Sequence, residues 1–172
     1  MELKRGDILA CWDNGLISKT ICWITKSKTS HITIMYDNTL VFESWWNGIR
    51  IIKLSDLKKR CNFYGLTYIK LTKKESNGII KYLQNSYETK YDFIQAITIG
   101  LHKLFGFKIK NNNKKYVCSE LVWEAYNSVG IEIAPQVNEK DDVVPGDLLS
   151  SSRLNIIGFN IIGSELPYTL KR

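Results

Sequence analysis

Cys118 is the residue whose type and position best fit covalent chemistry. It lies within YVCSELVWEA, residues 116–125, where apolar residues recur at helical spacing before Gly130, a residue suited to ending a helix. We therefore expect Cys118 in the first turn of a helix, where the positive end of the backbone dipole favours the thiolate over the thiol. A thiolate attacks acyl carbons, so the pattern predicts a nucleophile. The alternative is a small buried hydrophobic residue, which is the role expected of the other cysteines, Cys11, Cys22 and Cys61.

His31 is the candidate base for this thiol. It opens a predicted strand directly after the polar residues 26–30, a place where a side chain can face a cleft. An isolated histidine there could equally be an ordinary surface residue. The second histidine, His102, lies beside Lys103 in a predicted amphipathic helix, where packing or exposure to solvent is the expected role.

Glu43 is the candidate group for orienting the imidazole, and its placement depends on the register of a β-hairpin. Residues 31–36 alternate as a strand does, and residues 40–43 resume after a turn. A three-residue loop pairs Thr33 with Glu43 and makes His31 and Glu43 diagonal neighbours on one face of the sheet. A two-residue loop would place Glu43 on the opposite face, as an exposed carboxylate among lysines.

Three aromatic residues near these candidates, Trp12, Trp45 and Tyr116, are candidate substrate contacts. Aromatic rings can wall a substrate groove or fill a core, and the sequence leaves both roles open. No metal site is predicted, since no Cys-x-x-Cys pair occurs and the two histidines lie far apart. Thiol chemistry of the predicted kind needs no metal or organic cofactor.

The first part of the chain predicts an antiparallel meander. We expect a strand within residues 6–12, helical spacing over residues 16–25, and then the hairpin of residues 31–36 and 40–43. Asn47-Gly48 marks a turn into a strand over residues 49–52, and residues 66–71 predict a further strand.

The hydrophobic period changes after these strands. Thr72 and Glu75 have the spacing of a capping box ahead of a helix that reaches about Tyr87. Asp92 is a candidate cap for a second helix containing Phe93, Ile97, Leu101 and Leu104, and the helix of Cys118 follows. The tail predicts a turn at Pro145-Gly146-Asp147 and a strand within residues 154–162.

Composition bounds the class of protein. The 172 residues, 44% of them hydrophobic, are enough for one core, so we expect a single domain over residues 1–172. The net charge of +7 would favour an anionic polymer or an anionic lipid surface. The lysines occur as scattered pairs without a nucleic-acid-binding signature, so no specific nucleic-acid binding is expected.

The N-terminus has no apolar stretch between a basic start and a cleavage site, and no window approaches the roughly 20 apolar residues of a membrane span. We therefore expect a cytoplasmic protein whose four cysteines are thiols. Composition and motifs leave the oligomeric state open.

Four motifs occur in a characteristic order: GDIL at residues 6–9, SHI at 30–32, VFES at 41–44 and YVCSELV at 116–122. YDF at 91–93 and PGDL at 145–148 accompany them. This order resembles the circularly permuted NlpC/P60 peptidases, the YiiX/YebB-like branch of the papain-like superfamily, which also has poxvirus relatives. In ordinary papain-like enzymes the cysteine helix precedes the histidine strand, whereas here the strands come first.

The resemblance implies an α+β fold of the papain-like NlpC/P60 kind, with an antiparallel β-barrel or sheet packed against helices and the nucleophile at a helix N-terminus. It implies Cys118 as nucleophile, His31 as base and Glu43 as the third member, and it favours the three-residue loop. The implied activity is hydrolysis of amide bonds in peptides or peptidoglycan-type peptides. Two alternatives stay open: a lipid or N-acyl hydrolase or acyltransferase of the lecithin:retinol acyltransferase-like type, and an inactive binding module of the same fold.

Overall fold

The computed structural model describes residues 2–45, 48–86, 118–137 and 143–162. Strands predominate in the first part of the chain and helices in the second, which confirms the predicted α+β class. In order they are β1 Ile8–Trp12, α1 Leu16–Ile24, β2 His31–Met35, β3 Leu40–Trp45, β4 Gly48–Lys53, α2 Leu54–Arg60, β5 Asn62–Thr67, α3 Lys73–Asn85, α4 Cys118–Asn127, α5 Pro145–Leu149 and β6 Asn155–Asn160.

The strands form one six-stranded antiparallel sheet in the order β4-β3-β2-β1-β5-β6. In the β2–β3 hairpin, Thr33 pairs with Glu43, and the Tyr36 N–H donates to the Leu40 carbonyl at 2.9 Å. The Asp37 carboxylate accepts from the N–H groups of Thr39 and Leu40, which holds the loop closed. The predicted three-residue loop is therefore confirmed.

Both faces of the sheet are buried, because successive strand residues point to opposite sides. Ile8, Ala10, Ile32 and Ile34 share one core with side chains from α3 and α4. Residues of the other face, Leu9, Cys11, Met35, Val41 and Phe63, share a second core with Leu57 of α2. The helices on the two sides thereby fix the sheet that carries the candidate site.

The predicted strand over residues 66–71 is wrong in its position. The observed strand β5 is Asn62–Thr67, and the chain turns immediately after it, where the Leu71 N–H donates to the Tyr68 carbonyl at 3.0 Å. Pairing with β1 and β6 fixes this strand although Asn62 and Gly65 are poor strand formers. Tertiary pairing therefore overrides the local pattern here.

Two further elements differ from the prediction. The segment read as a turn at Pro145-Gly146-Asp147 begins helix α5, in which the Asp147 carboxylate accepts from the Val144 N–H at 2.8 Å. Helix α2 was not predicted, because Leu57 is its only buried residue and a single apolar anchor gives no period.

Several other predictions are confirmed. The helical spacing over residues 16–25 corresponds to α1, and the tail strand to the shorter β6. The capping box of Thr72 and Glu75 opens α3, which ends at Asn85. The predicted helix from Asp92 to Leu104 lies outside the described residues.

Hydrogen bonds from both ends of α4 fix this helix against the rest of the protein. Near its start, the buried Ser119 hydroxyl donates to the Val143 carbonyl at 2.6 Å. Near its end, the buried Tyr126 hydroxyl donates to the Gly6 carbonyl at 2.5 Å. Gly6 has φ +92°, and a Cβ there would lie 2.7 Å from Leu71 Cδ2, so the turn that offers this carbonyl requires glycine. Cys118 is therefore carried on a helix with little freedom to move.

Replacing Tyr126 with Phe should lower the free energy of unfolding by about 1–3 kcal/mol, because the buried Gly6 carbonyl would lose its partner. Urea denaturation measures this change. Tyr36→Phe is the matched control, since the Tyr36 hydroxyl accepts an exposed hydrogen bond from Gln84 and its loss should cost less than about 0.5 kcal/mol. Equal effects of the two substitutions would show that this hydrogen bond does not anchor α4.

Candidate active site

Folding brings three predicted site residues together from three different elements. His31 is the first residue of β2, Cys118 is the first residue of α4, and Glu43 lies within β3. Because His31 opens its strand, its ring lies at one end of the sheet, where it meets both of the other side chains. Cys118 and Glu43 are buried, whereas the His31 side chain keeps 17% of its surface exposed.

The imidazole of His31 lies close enough to Cys118 for the sulfur to raise the pKa of the ring. Burial alone would lower the pKa of His31, but the interactions with Cys118 and Glu43 outweigh it and raise the pKa to about 10. The imidazolium form is therefore favoured at neutral pH, which is the form that stabilises a neighbouring thiolate.

The ring also faces Glu43. His31 Nε2 lies 3.3 Å from Glu43 Oε1, and the carboxylate is fully buried. This is the diagonal placement predicted for the three-residue loop. The ring thus interacts with both a sulfur and a carboxylate.

Two arginines also hold the Glu43 carboxylate. Arg50 Nε donates to Oε2 at 2.8 Å, and Arg60 donates to Oε1 from its terminal Nη2. Burial alone would raise the pKa of Glu43, but the contact with His31 and the charges of Arg60 and Arg50 lower it to about 2. Glu43 is therefore ionised throughout the physiological pH range.

Trp45 packs against the charged groups of the site. The guanidinium carbons of Arg50 and Arg60 each lie 4.7 Å from the centroid of its ring, and its edge meets the His31 ring at 5.7 Å between centroids. Cation–π attraction and packing therefore restrict both arginines. The role of Trp45 in substrate binding stays a prediction.

The two other aromatic candidates are placed differently. Trp12 stacks on Tyr64, with 4.9 Å between the ring centroids. Tyr116 lies outside the described residues. Their roles as substrate contacts stay predictions.

Sequence reasoning did not identify Arg50 or Arg60. Arg50 pairs directly with Glu43 across β3 and β4, so extending the hairpin register through the Asn47-Gly48 turn would have found it. Arg60 ends the unpredicted helix α2, and no local signal places it beside Glu43.

The other cysteines are free thiols, as expected. Cys11 and Cys61 are buried next to each other in the core beneath α2. Burial raises the pKa of Cys11, whereas the hydrogen bond with Cys11 lowers the pKa of Cys61. Neither thiol lies at a helix N-terminus.

A cavity of about 380 Å³ opens between the segment that follows α1 and helix α5. Its lining combines polar, basic and apolar side chains: Lys26, Lys28, Tyr64, Asp147, Ser150 and Ile156. Tyr64 connects this cavity to Trp12 through their stacked rings.

Residues 2–154 match the model of a family described as permuted papain-like amidase enzymes, YaeF/YiiX, of the C92 family. The chain therefore belongs to this cysteine peptidase and amidase family. The predicted resemblance to the permuted, YiiX-like branch of the papain-like enzymes is thus confirmed. The assignment to the NlpC/P60 peptidases stays a prediction.

The fold is that of a solved relative. The crystal structure of the metalloprotein yiiX from Escherichia coli O157:H7 aligns with a TM-score of 0.66 and 16% sequence identity, covering 97% of this chain and 100% of that chain. A comparison with curated proteins finds no significant match.

The description of yiiX as a metalloprotein raises the question of a metal site in this chain. Within the described ranges, no group of three or more His, Cys, Asp or Glu side chains is placed to hold a metal ion. Both Glu43 oxygens already accept hydrogen bonds from arginines, whose positive charges oppose a cation at this position. The described site residues therefore do not fit a metal ion.

None of the described helices is long and apolar enough to cross a membrane.

Stability should fall in acid because of Glu43. Its pKa of about 2 lies below the ordinary 4.5, so its ionised form stabilises the fold above pH 4.5, and this contribution, on the order of 3 kcal/mol, is lost as the pH falls toward 2. Glu43→Gln removes the titration, and the variant's melting temperature should therefore change less than that of the wild type between pH 5 and pH 2.5.

Thermal unfolding followed by circular dichroism measures both pH profiles. Asp56→Asn, at an exposed position of α2, is the control and should follow the wild type. Parallel profiles for Glu43→Gln and the wild type would contradict the depressed pKa of Glu43.

Proposed function

We propose that this protein hydrolyses an amide bond, with Cys118 as nucleophile, His31 as base and Glu43 as the group that orients the imidazole. The observation that carries the proposal is the imidazole of His31, which interacts with Cys118 and lies beside the buried Glu43 carboxylate. Nucleophile, base and orienting group in this arrangement are the parts of a catalytic triad. Membership of an amidase family supports the same chemistry.

The proposed reaction has two stages. Because Nε2 faces Glu43, Nδ1 of His31 takes the proton of the Cys118 thiol. The thiolate adds to the amide carbonyl, and backbone N–H groups at the start of α4 stabilise the oxyanion. The imidazolium then protonates the leaving amine as the C–N bond breaks, which leaves an acyl thioester. In the second stage His31 deprotonates a water molecule, which attacks the thioester, releases the acid and restores the thiol.

Arg50 and Arg60 are positioning residues in this scheme. They do not reach the sulfur in any described contact, but they keep Glu43 ionised and fix its two oxygens. A fixed, charged carboxylate holds the His31 ring in one orientation and favours its protonated form. The arginine pair thereby supports the thiolate–imidazolium state.

A peptide or peptidoglycan-type peptide is the substrate that follows most directly from amidase chemistry. A lipid or N-acyl substrate is the second candidate, and the observation that favours it is the set of exposed apolar side chains on α1, namely Leu16, Ile17 and Trp23. An acyl-containing substrate of this kind would sit on the same anionic lipid surface that the +7 charge favours. If Cys118 proves unreactive, the protein is an inactive binding module of the same fold.

Alkylation rates test the proposed nucleophile directly. Cys118 and Cys61 are similarly buried, at 4% and 5% exposure, so a difference in their rates reports thiolate character rather than access. Cys61 is a stringent reference, because the hydrogen bond with Cys11 lowers its own pKa. Iodoacetamide at pH 6 should label Cys118 at least about tenfold faster than Cys61, as read by peptide mass spectrometry. His31→Asn should remove this advantage, because the imidazolium that stabilises the thiolate is lost.

Cys118→Ala should abolish turnover of a peptide or N-acyl amide substrate, whereas Cys22→Ala, at a half-buried position of α1, should retain it. Equal labelling of Cys118 and Cys61 together with retained turnover in Cys118→Ala would overturn the proposal.

A further inference from the structure

Helix α1 leaves three large apolar side chains exposed to solvent. Leu16, Ile17 and Trp23 are 85%, 62% and 72% exposed, whereas Ser18 is the buried residue of the helix. The Ser18 hydroxyl lies 2.7 Å from the Ser30 hydroxyl and accepts from the Asp13 N–H at 3.0 Å. The helix is thus attached through a polar contact, which is the reverse of the usual orientation of an amphipathic helix.

The exposed apolar residues form one continuous face. Leu16 and Trp23 lie seven residues apart, which aligns them along the helix with Thr20 between them, and Ile17 and the half-buried Ile24 widen the same stripe. Solvent-exposed single apolar residues are common, but a clustered set on one helix marks an interaction surface.

Exposed lysines flank this face. Lys19 lies on α1, and Lys26 and Lys28 follow its end. None of the three forms an ion pair with an acidic residue in the described parts of the chain. Within these parts of the chain, no carboxylate neutralises the three charges.

The end of the helix holds Lys26 in a fixed place. Its N–H donates to the Trp23 carbonyl at 3.3 Å, and the Ser27 N–H donates to the Cys22 carbonyl at 3.0 Å. Lys26 has φ 49°, in the left-handed region that glycine adopts at lower cost. Lys26 is exposed and lines the nearby cavity, three residues after the exposed Trp23.

We propose that α1 docks this protein on an anionic lipid membrane, with Leu16, Ile17 and Trp23 inserted among the acyl chains and the lysines against the headgroups. Helices with an apolar face, a tryptophan and flanking lysines bind the membrane interface in this way. With nine residues and a length of about 14 Å, α1 is too short to span a bilayer and would lie in its plane. Nucleic acid would use the lysines but leave the apolar face in water.

Docking would also orient the nearby cavity. Thr25, Lys26, Ser27 and Lys28 line it, so its lysine side would lie close to the headgroups. The proposal rests on the surface of α1 and does not depend on the chemistry proposed for Cys118.

Sedimentation with vesicles tests the proposal. The full-length protein should bind vesicles of phosphatidylcholine and phosphatidylserine and bind phosphatidylcholine alone much more weakly, because the lysines need anionic headgroups. Leu16→Ser combined with Trp23→Ser should lower the affinity for the anionic vesicles by at least about tenfold. Ile69→Ser is the matched control, since Ile69 is 73% exposed and follows the opposite end of β5 from α1.

The charge arm uses matched triple variants. The variant with Lys19→Glu, Lys26→Glu and Lys28→Glu should lose vesicle binding. The control variant carries Lys73→Glu, Lys74→Glu and Lys81→Glu at exposed positions of α3. Its net charge changes by the same amount, and it should retain most of the vesicle binding. Equal losses in both triple variants would overturn a localised docking surface.

Two other results would also overturn the proposal. The first is no vesicle binding by the wild type. The second is a wild-type dimer that Leu16→Ser with Trp23→Ser converts to monomer, because a second copy would then cover the face. Cys118→Ala should bind vesicles as the wild type does, so loss of amidase activity and loss of docking are separable.

Discussion

The ionised carboxylate of Glu43 is the group on which the arrangement of the site depends. Burying a carboxylate is costly unless charged partners compensate, and here His31, Arg50 and Arg60 surround it. Each partner comes from a different element, so the carboxylate ties β2, β4 and the end of α2 to β3. Removing the charge would free the imidazole as well as the arginines, and the orientation of His31 toward Cys118 therefore depends on an electrostatic cluster rather than on apolar packing.

The hairpin register decides whether this cluster can form. A shift of one residue between β2 and β3 would move Glu43 to the face packed by α3 and α4 and leave His31 without its carboxylate. The Asp37 carboxylate fixes the three-residue loop by accepting hydrogen bonds from two backbone N–H groups. A small exposed turn thereby sets the strand register, and the register places Glu43 beside His31 in the buried site. On the opposite side, the hydrogen bonds of Ser119 and Tyr126 hold α4 in place and so fix the position of the sulfur.

Much of the fold and of the candidate site followed from local patterns. Strand alternation predicted the hairpin, and a capping box predicted the start of α3. Alternation left two registers open for Glu43, and the family resemblance favoured the one that places it beside His31. The contribution of Arg60 could not be predicted, because α2 has one buried anchor and no hydrophobic period. The bounds of β5 were missed for a related reason, since pairing with β1 and β6 rather than strand propensity determines them. The exposure of the apolar face of α1 could not be predicted either, because the hydrophobic period of a helix does not tell which of its faces packs against the protein.

The most direct test of the account is an NMR titration of the His31 imidazole, by nitrogen chemical shifts in the wild type and in Cys118→Ala. The contact with the sulfur predicts a wild-type pKa of about 10 for His31, and a clear fall in that pKa when the sulfur is removed. If His31 instead titrates near its ordinary value of 6.5 in both proteins, the thiol and the imidazole do not interact, and the proposed catalytic arrangement is wrong.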